Sequence, residues 1–173
     1  MRLGLVADTH GHFDPALAKL FAGCDRVLHA GDVMGNEILA LISCIAPVTA
    51  VRGNCDSAEL GAGLPDEAVL SAEALTLYLV HAVGTSQWPK APVREAIDRS
   101  QTNVVVYGHS HKPAIELIDQ ILYVNPGSAG PRRFDLPRSA GLLTVNRRHA
   151  RVEVFDLEHE SLPLLLGPFE AEL

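Results

Sequence analysis

Blocks of positive charge are missing from this sequence. Its 14 Lys and Arg are scattered among 21 Asp and Glu, for a net charge of -7. No basic run builds a face that could track a phosphate backbone, so long nucleic acid is not expected as a partner. Long apolar runs are missing too. No window nears the roughly 20 apolar residues of a bilayer span, and the apolar stretch before Asp8 is too short for the apolar region of a signal peptide, so no membrane partner is expected. Cysteine is sparse: Cys24, Cys44 and Cys55 are odd in number and lack CxxC spacing. That excludes a disulfide framework and favours reduced thiols, hence a cytoplasmic location. A GxxxxGK[ST] phosphate loop is absent. Gly108-His109-Ser110 has Lys112 where a nucleophile elbow needs glycine, which excludes a serine hydrolase of that type.

What is present is a globular balance, 47% apolar and 20% charged over 173 residues. This suits one folded domain with a sizeable core. Residues 1–173 read as that domain, with a core of about 1–157 and a Leu/Pro-rich tail, 158–173, that pattern does not place. "RLGLVA", "DRVLHA" and "PVTAVR" read as strands separated by the helical patterns "DPALAKLFAGC" and "GNEILALISCIA". Asp14 is the expected N-cap of the first helix and Pro15 its first residue. Such alternation argues for a parallel sheet, with ligands gathering at the carboxyl ends of its strands. Beyond Gly53 the pattern turns to closely spaced strands with a turn at Ser71 to Glu73 and one helix in "VREAIDRSQ". A second sheet packed on the first is expected from them.

Five polar clusters each end an apolar run: Asp8 and His10; Gly31-Asp32; Gly53-Asn54; His81; and Gly108-His109 with His111. Read singly, such residues are ordinary turn and cap residues, and a buried histidine is ordinarily a hydrogen-bonded core residue. Their shared position at strand ends points instead to a metal site. Carboxylates, imidazoles and one amide suit manganese, iron or zinc. Seven candidate ligands exceed one ion's needs, so two divalent ions sharing a carboxylate are expected. Against two aspartates they leave a formal charge of about +2, which attracts a phosphate ester. His29 is a candidate to orient a ligand from behind, and Asp56 to orient a ligand or cap a turn. His12 is a candidate to face substrate.

In this order D-x-H, G-D, G-N, H and G-H-x-H resemble the calcineurin-like metallophosphoesterases. "RGNCD" and "NPGS" narrow the resemblance to the small bacterial and archaeal phosphodiesterases, a family that also contains the retromer scaffold subunit. The resemblance implies an α/β fold, a four-layer α/β/β/α sandwich of two facing mixed sheets with helices outside. It implies that Asp8, His10 and His111 hold one metal, that Asn54, His81 and His109 hold the other, and that Asp32 bridges them. It further implies manganese, with nickel, cobalt, iron or zinc as alternatives, and hydrolysis of a small phosphodiester by in-line attack of hydroxide, with Asp32, Asn54, His81 and His109 as the catalytic set. Cys55 stands where the broader superfamily has a histidine able to protonate the leaving oxygen, and Ala82 where the family has glycine, often with another histidine after it. His12, Cys55, Asn125 and Ser128 are further candidates for substrate contact. A protein-binding scaffold on the same fold is the alternative, and a homo-oligomer is compatible with either.

Overall fold

The computed structural model describes residues 1–133 and 135–173. Two sheets stack face to face. The first has the order β11-β10-β9-β1-β2-β3. It consists of β1 (Arg2–Val6), β2 (Arg26–His29), β3 (Val48–Ala50), β9 (Ser139–Asn146), β10 (His149–Asp156) and β11 (Leu164–Glu172). The second, in the order β4-β5-β6-β8-β7, consists of β4 (Glu67–Ala72), β5 (Leu75–Val80), β6 (Val104–Val106), β7 (Ala114–Ile118) and β8 (Ile121–Asn125). β1, β2 and β3 are parallel, as are β5, β6 and β8. Helices α1 (Ala16–Leu20), α2 (Asn36–Ser43), α3 (Ala58–Gly61) and α4 (Ala91–Ser100) complete the chain.

Strand alternation decides the layering, because successive side chains point to opposite faces. Leu3 and Leu5 of β1, Leu77 and Leu79 of β5, and Val104 and Val106 of β6 form the layer between the sheets. Val6 faces the other way and packs with Leu17 and Phe21 beside α1, and with Ile38 and Ile42 of α2. On the second sheet, Tyr78 and Val80 turn outward onto Val93, Ala96 and Ile97 of α4. Each buried Leu or Val contributes about 1.5–3 kcal/mol relative to exposure. The result is the four-layer α/β/β/α arrangement, with both sheets mixed.

The structure departs from the sequence reading in several places. β9, β10 and β11 return to the first sheet, antiparallel to one another and, through β9, to β1, instead of extending the second. Pattern reports which face of a strand is apolar, and that is the same in either sheet. The unplaced tail contains β11, a half-exposed edge strand. α1 starts at Ala16 with Pro15 as its N-cap, one residue later than expected. Asp14 nevertheless accepts the Ala16 N–H at 2.8 Å. The β4–β5 turn falls at Glu73-Ala74, and the short α3 was not expected. No helix among the described residues is long and apolar enough to cross a membrane.

Candidate metal centre

Each candidate cluster begins where a parallel strand ends: Asp8 after β1, Asp32 after β2, Asn54 after β3, His81 after β5 and His109 after β6. The carboxyl ends of the two sheets therefore deliver all five loops to one edge. A cross-link between sheets helps fix the meeting point: the His109 N–H donates to Asp8 Oδ2 at 2.9 Å. Within the second sheet, the Gly108 N–H donates to the His81 carbonyl at 3.0 Å.

Donor atoms crowd together here. His10 Nε2 lies 3.2 Å from His111 Nε2 and 3.8 Å from Asp32 Oδ2. His111 Nε2 is 3.5 Å from Asp8 Oδ1, and His81 Nε2 is 3.5 Å from Asp32 Oδ1. Asn54 Oδ1 sits 3.0 Å from His81 Nε2 and 2.9 Å from His109 Nδ1. Asp8, His10 and His111 can converge on one point, and Asp8, Asp32 and His81 on another. A third group, His10, Asp32 and Cys55, brings the thiol in as a potential donor atom.

Hydrogen bonds explain only part of this crowding. The His81 Nδ1–H donates to the Ala30 carbonyl at 2.7 Å, which leaves a lone pair on Nε2 facing the Asn54 carbonyl oxygen. His10 Nδ1 lies 3.1 Å from the thioether of Met34, an acceptor for an Nδ1–H, and its Nε2 faces a second imidazole. Asp8 Oδ1 is buried with no hydrogen-bond partner among the described residues. Lone pairs aimed at one another, and an orphaned carboxylate oxygen, are what a cation placed among them would satisfy. The donor set fits a metal.

Electrostatics agree. Burial, followed by the charge of Asp32, pushes the Asp8 carboxyl up to about 8. For Asp32, burial acts upward, but the backbone and side-chain hydrogen bonds from Cys55, with the charge of His81 and His10 when these are protonated, outweigh it and bring the carboxyl below its ordinary value. Burial lowers His10 and His81, and lowers His111 to about 4, so these imidazoles are neutral and able to donate lone pairs.

The backbone is shaped for this convergence. Asp8, His10, Asp32, His109 and His111 have φ of 53°, 46°, 54°, 71° and 58°. Non-glycine residues seldom adopt the left-handed region, and such residues cluster where function demands it. Gly53 is needed for space, since a Cβ there would lie 2.1 Å from Asp32 Oδ1.

Around the donors stands a supporting layer. Asp56 accepts the Met34 N–H at 2.8 Å and the Gly53 N–H at 2.7 Å, tying the Asp32 loop to the Asn54 loop. The buried His29 bonds Thr9 Oγ at 3.0 Å, and that hydroxyl donates to the Val33 carbonyl, so His29 braces the stretch between Asp8 and His10. Burial lowers His29 to about 4. Asn125 and Ser128 lie beneath the site. The Asn125 amide donates to the Gly108 carbonyl and Ser110 Oγ, and Ser128 Oγ–H donates to the Asp8 carbonyl. Cys55 is exposed, and its hydrogen bond to Asp32 is the main cause raising its thiol pKa. The half-buried His12 belongs to none of the converging donor groups. Met34 and Thr9 were not singled out in the sequence. Met34 carries no local signal, while Thr9 is flagged only by lying within D-x-H.

Comparison with known proteins agrees with this geometry. The calcineurin-like phosphoesterase superfamily domain matches residues 1–148. Phosphodiesterase YfcE of Escherichia coli is 30% identical, over 83% of this chain and 87% of its own. Its solved structure superposes with a TM-score of 0.71, at 26% identity over 99% of both chains. Vacuolar protein sorting 29 from Cryptosporidium parvum superposes with a TM-score of 0.81, at 21% identity over 99% of this chain and 98% of that one. The chain belongs to the calcineurin-like phosphoesterase superfamily.

Proposed function

We propose that the protein is a metal-dependent phosphodiesterase that hydrolyses a small phosphodiester at a dinuclear centre. The observation that supports this most directly is the crowding of ligand atoms of Asp8, His10, Asp32, Asn54, His81 and His111 at the sheet edge, with Asp8 Oδ1 buried and unpartnered among the described residues. Asp8, His10 and His111 would hold one ion, Asn54, His81 and His109 the other, and Asp32 would lie between them. Manganese is the first candidate, with nickel, cobalt, iron and zinc as alternatives. When bound, two such ions supply positive charge beside the phosphate and lower the pKa of water enough to give hydroxide near neutral pH.

The chain's own residues prepare the site. The His81 bond to the Ala30 carbonyl holds one imidazole in the donating tautomer. The His109 backbone N–H holds Asp8 in place. The side chain of His109 is exposed at the mouth, where an incoming phosphate passes. Cys55, with its thiol raised, is a weak proton donor to a leaving oxygen, so esters with good leaving groups should react best. Residues 1–173 act as one unit in this reading, in the cytoplasm, on a small phosphate ester.

The test uses metal-stripped protein reloaded with manganese, assayed on bis-p-nitrophenyl phosphate beside Asp32→Ala and His109→Ala. Turnover that needs the metal and is lost in both variants supports the reading. Binding of two ions without turnover overturns it in favour of a protein-binding scaffold on this fold.

A further inference from the structure

Between the loop at residues 82–86 and β7 lies a cavity of about 460 Å3, bordered by Gly108 and His109 on the side of the metal centre. Small-molecule sites typically occupy roughly 300–1,000 Å3. Val83, Tyr107 and Ile115 contribute apolar wall. Where the family resemblance implies glycine, often with a further imidazole after it, this chain has Ala82 and Val83, and both line the space. Set into that wall is a polar pair. The buried Ser86 donates its hydroxyl proton to Glu116 Oε2 at 2.5 Å, and Glu116 Oε1 has no hydrogen-bond donor among the described residues.

A carboxylate only accepts hydrogen bonds, and one oxygen of this carboxylate is already engaged. The partner it lacks is a donor, and although Lys112 lines the same cavity, the negatively charged acceptor at Glu116 beside an apolar wall favours, at that point, a neutral group with hydroxyls over a second phosphate. We infer that this cavity takes the alcohol portion of the phosphodiester and reads a vicinal diol of the ribose type through Glu116, with Ser86 fixing the carboxylate. The inference rests on the phosphodiesterase reading for its reaction but not for its binding. Glycerol carries the same diol, yet it would leave much of a cavity of this size wet, whereas a nucleoside would fill it.

Binding of three probes to zinc-loaded protein tests this. They are uridine 5′-monophosphate, its 2′,3′-dideoxy analogue and glycerol 3-phosphate, followed by calorimetry and by backbone amide shifts. The ribonucleotide is expected to bind about 10-fold more tightly than the dideoxy compound, the effect of one hydrogen bond to a charged group. It should also shift the amides of Ser86, Ile115 and Glu116. Glu116→Gln keeps an acceptor for Ser86 and should cut the discrimination to less than about 3-fold. Equal binding of the two nucleotides, or shifts confined to other residues, would overturn the inference. Glycerol 3-phosphate binding as tightly as the ribonucleotide would overturn the ribose assignment. Hydrolysis of bis-p-nitrophenyl phosphate without diol discrimination sinks this inference alone, and discrimination without hydrolysis sinks only the catalytic reading.

Discussion

Two buried regions of this molecule sit side by side and are built on opposite principles. Between the sheets, Leu3, Leu5, Leu77, Leu79, Val104 and Val106 are almost wholly shielded and carry no polar side-chain atoms. At the sheet edge, Asp8, Asp32, His29, His81, His111 and Asn125 are buried as well, yet every one is polar or ionisable. The first region gains free energy on leaving water. The second loses it and recovers only part through hydrogen bonds, because donor atoms such as Asp8 Oδ1 face one another instead of partners. The fold thus holds an unfavourable cluster in place with a favourable layer directly behind it.

That division can be attacked from either side. The largest effect on folding should come from Leu79→Ala, which leaves a cavity between the sheets and should cost about 2–5 kcal/mol in denaturant unfolding. Metal stoichiometry measured on the folded fraction should stay unchanged. A drop in stoichiometry equal to that in an edge mutant would mean the two regions are not separable. Asp56→Ala acts on the edge alone, removing the acceptor for the Met34 and Gly53 N–H groups. Metal affinity by calorimetry should weaken about 10–100-fold, the usual cost of losing a group that orients ligands.

The gentlest probe is pH. Asp8 holds its proton up to about 8 in the folded metal-free protein, against an ordinary value of 3.8, because burial and Asp32 disfavour its charge. Between these values the folded chain binds the proton and the unfolded chain has released it, so the contribution of Asp8 falls as pH rises through that window, while the lowered histidines act in the opposite sense below their ordinary value of 6.5. Above 6.5 the histidine contribution is complete, so metal-stripped protein should lose thermal stability from there to about pH 8, and Asp8→Asn should flatten the slope. Equal slopes in the two proteins would show that Asp8 is already ionised without metal.

The same division governs how much could be read from sequence. The edge was legible because each contributing loop joins an apolar strand to an acid, amide or histidine, most of them beside glycine, and the five loops recur in one order. The layering was legible where side chains alternate, as in "LTLYLV" of β5. Sheet membership was not, since β9 through β11 present the same alternation whichever sheet they join. β11 was obscured by Gly167 and Pro168, which interrupt its pattern; proline is tolerated there because the strand lies at an edge. The braces were half legible. "NPGS" drew notice to Asn125 and Ser128, but only the fold shows that their polar groups hold the backbones of Gly108 and Asp8. The thioether of Met34 beside His10 is a contact across 24 positions that no local pattern encodes.

Five of the seven candidate ligands sit at positive φ, where asparagine, aspartate, histidine and glycine are the side chains best tolerated. Aspartate and histidine each reach asparagine by a single-base codon change, so mutations within easy reach at these loops remove a carboxylate's charge or an imidazole's lone pair while keeping the loop's shape. A descendant freed from selection for hydrolysis could drift to an inert surface through such steps without passing through an unfolded intermediate. The conformation that makes the site expensive to build also makes it easy to retire.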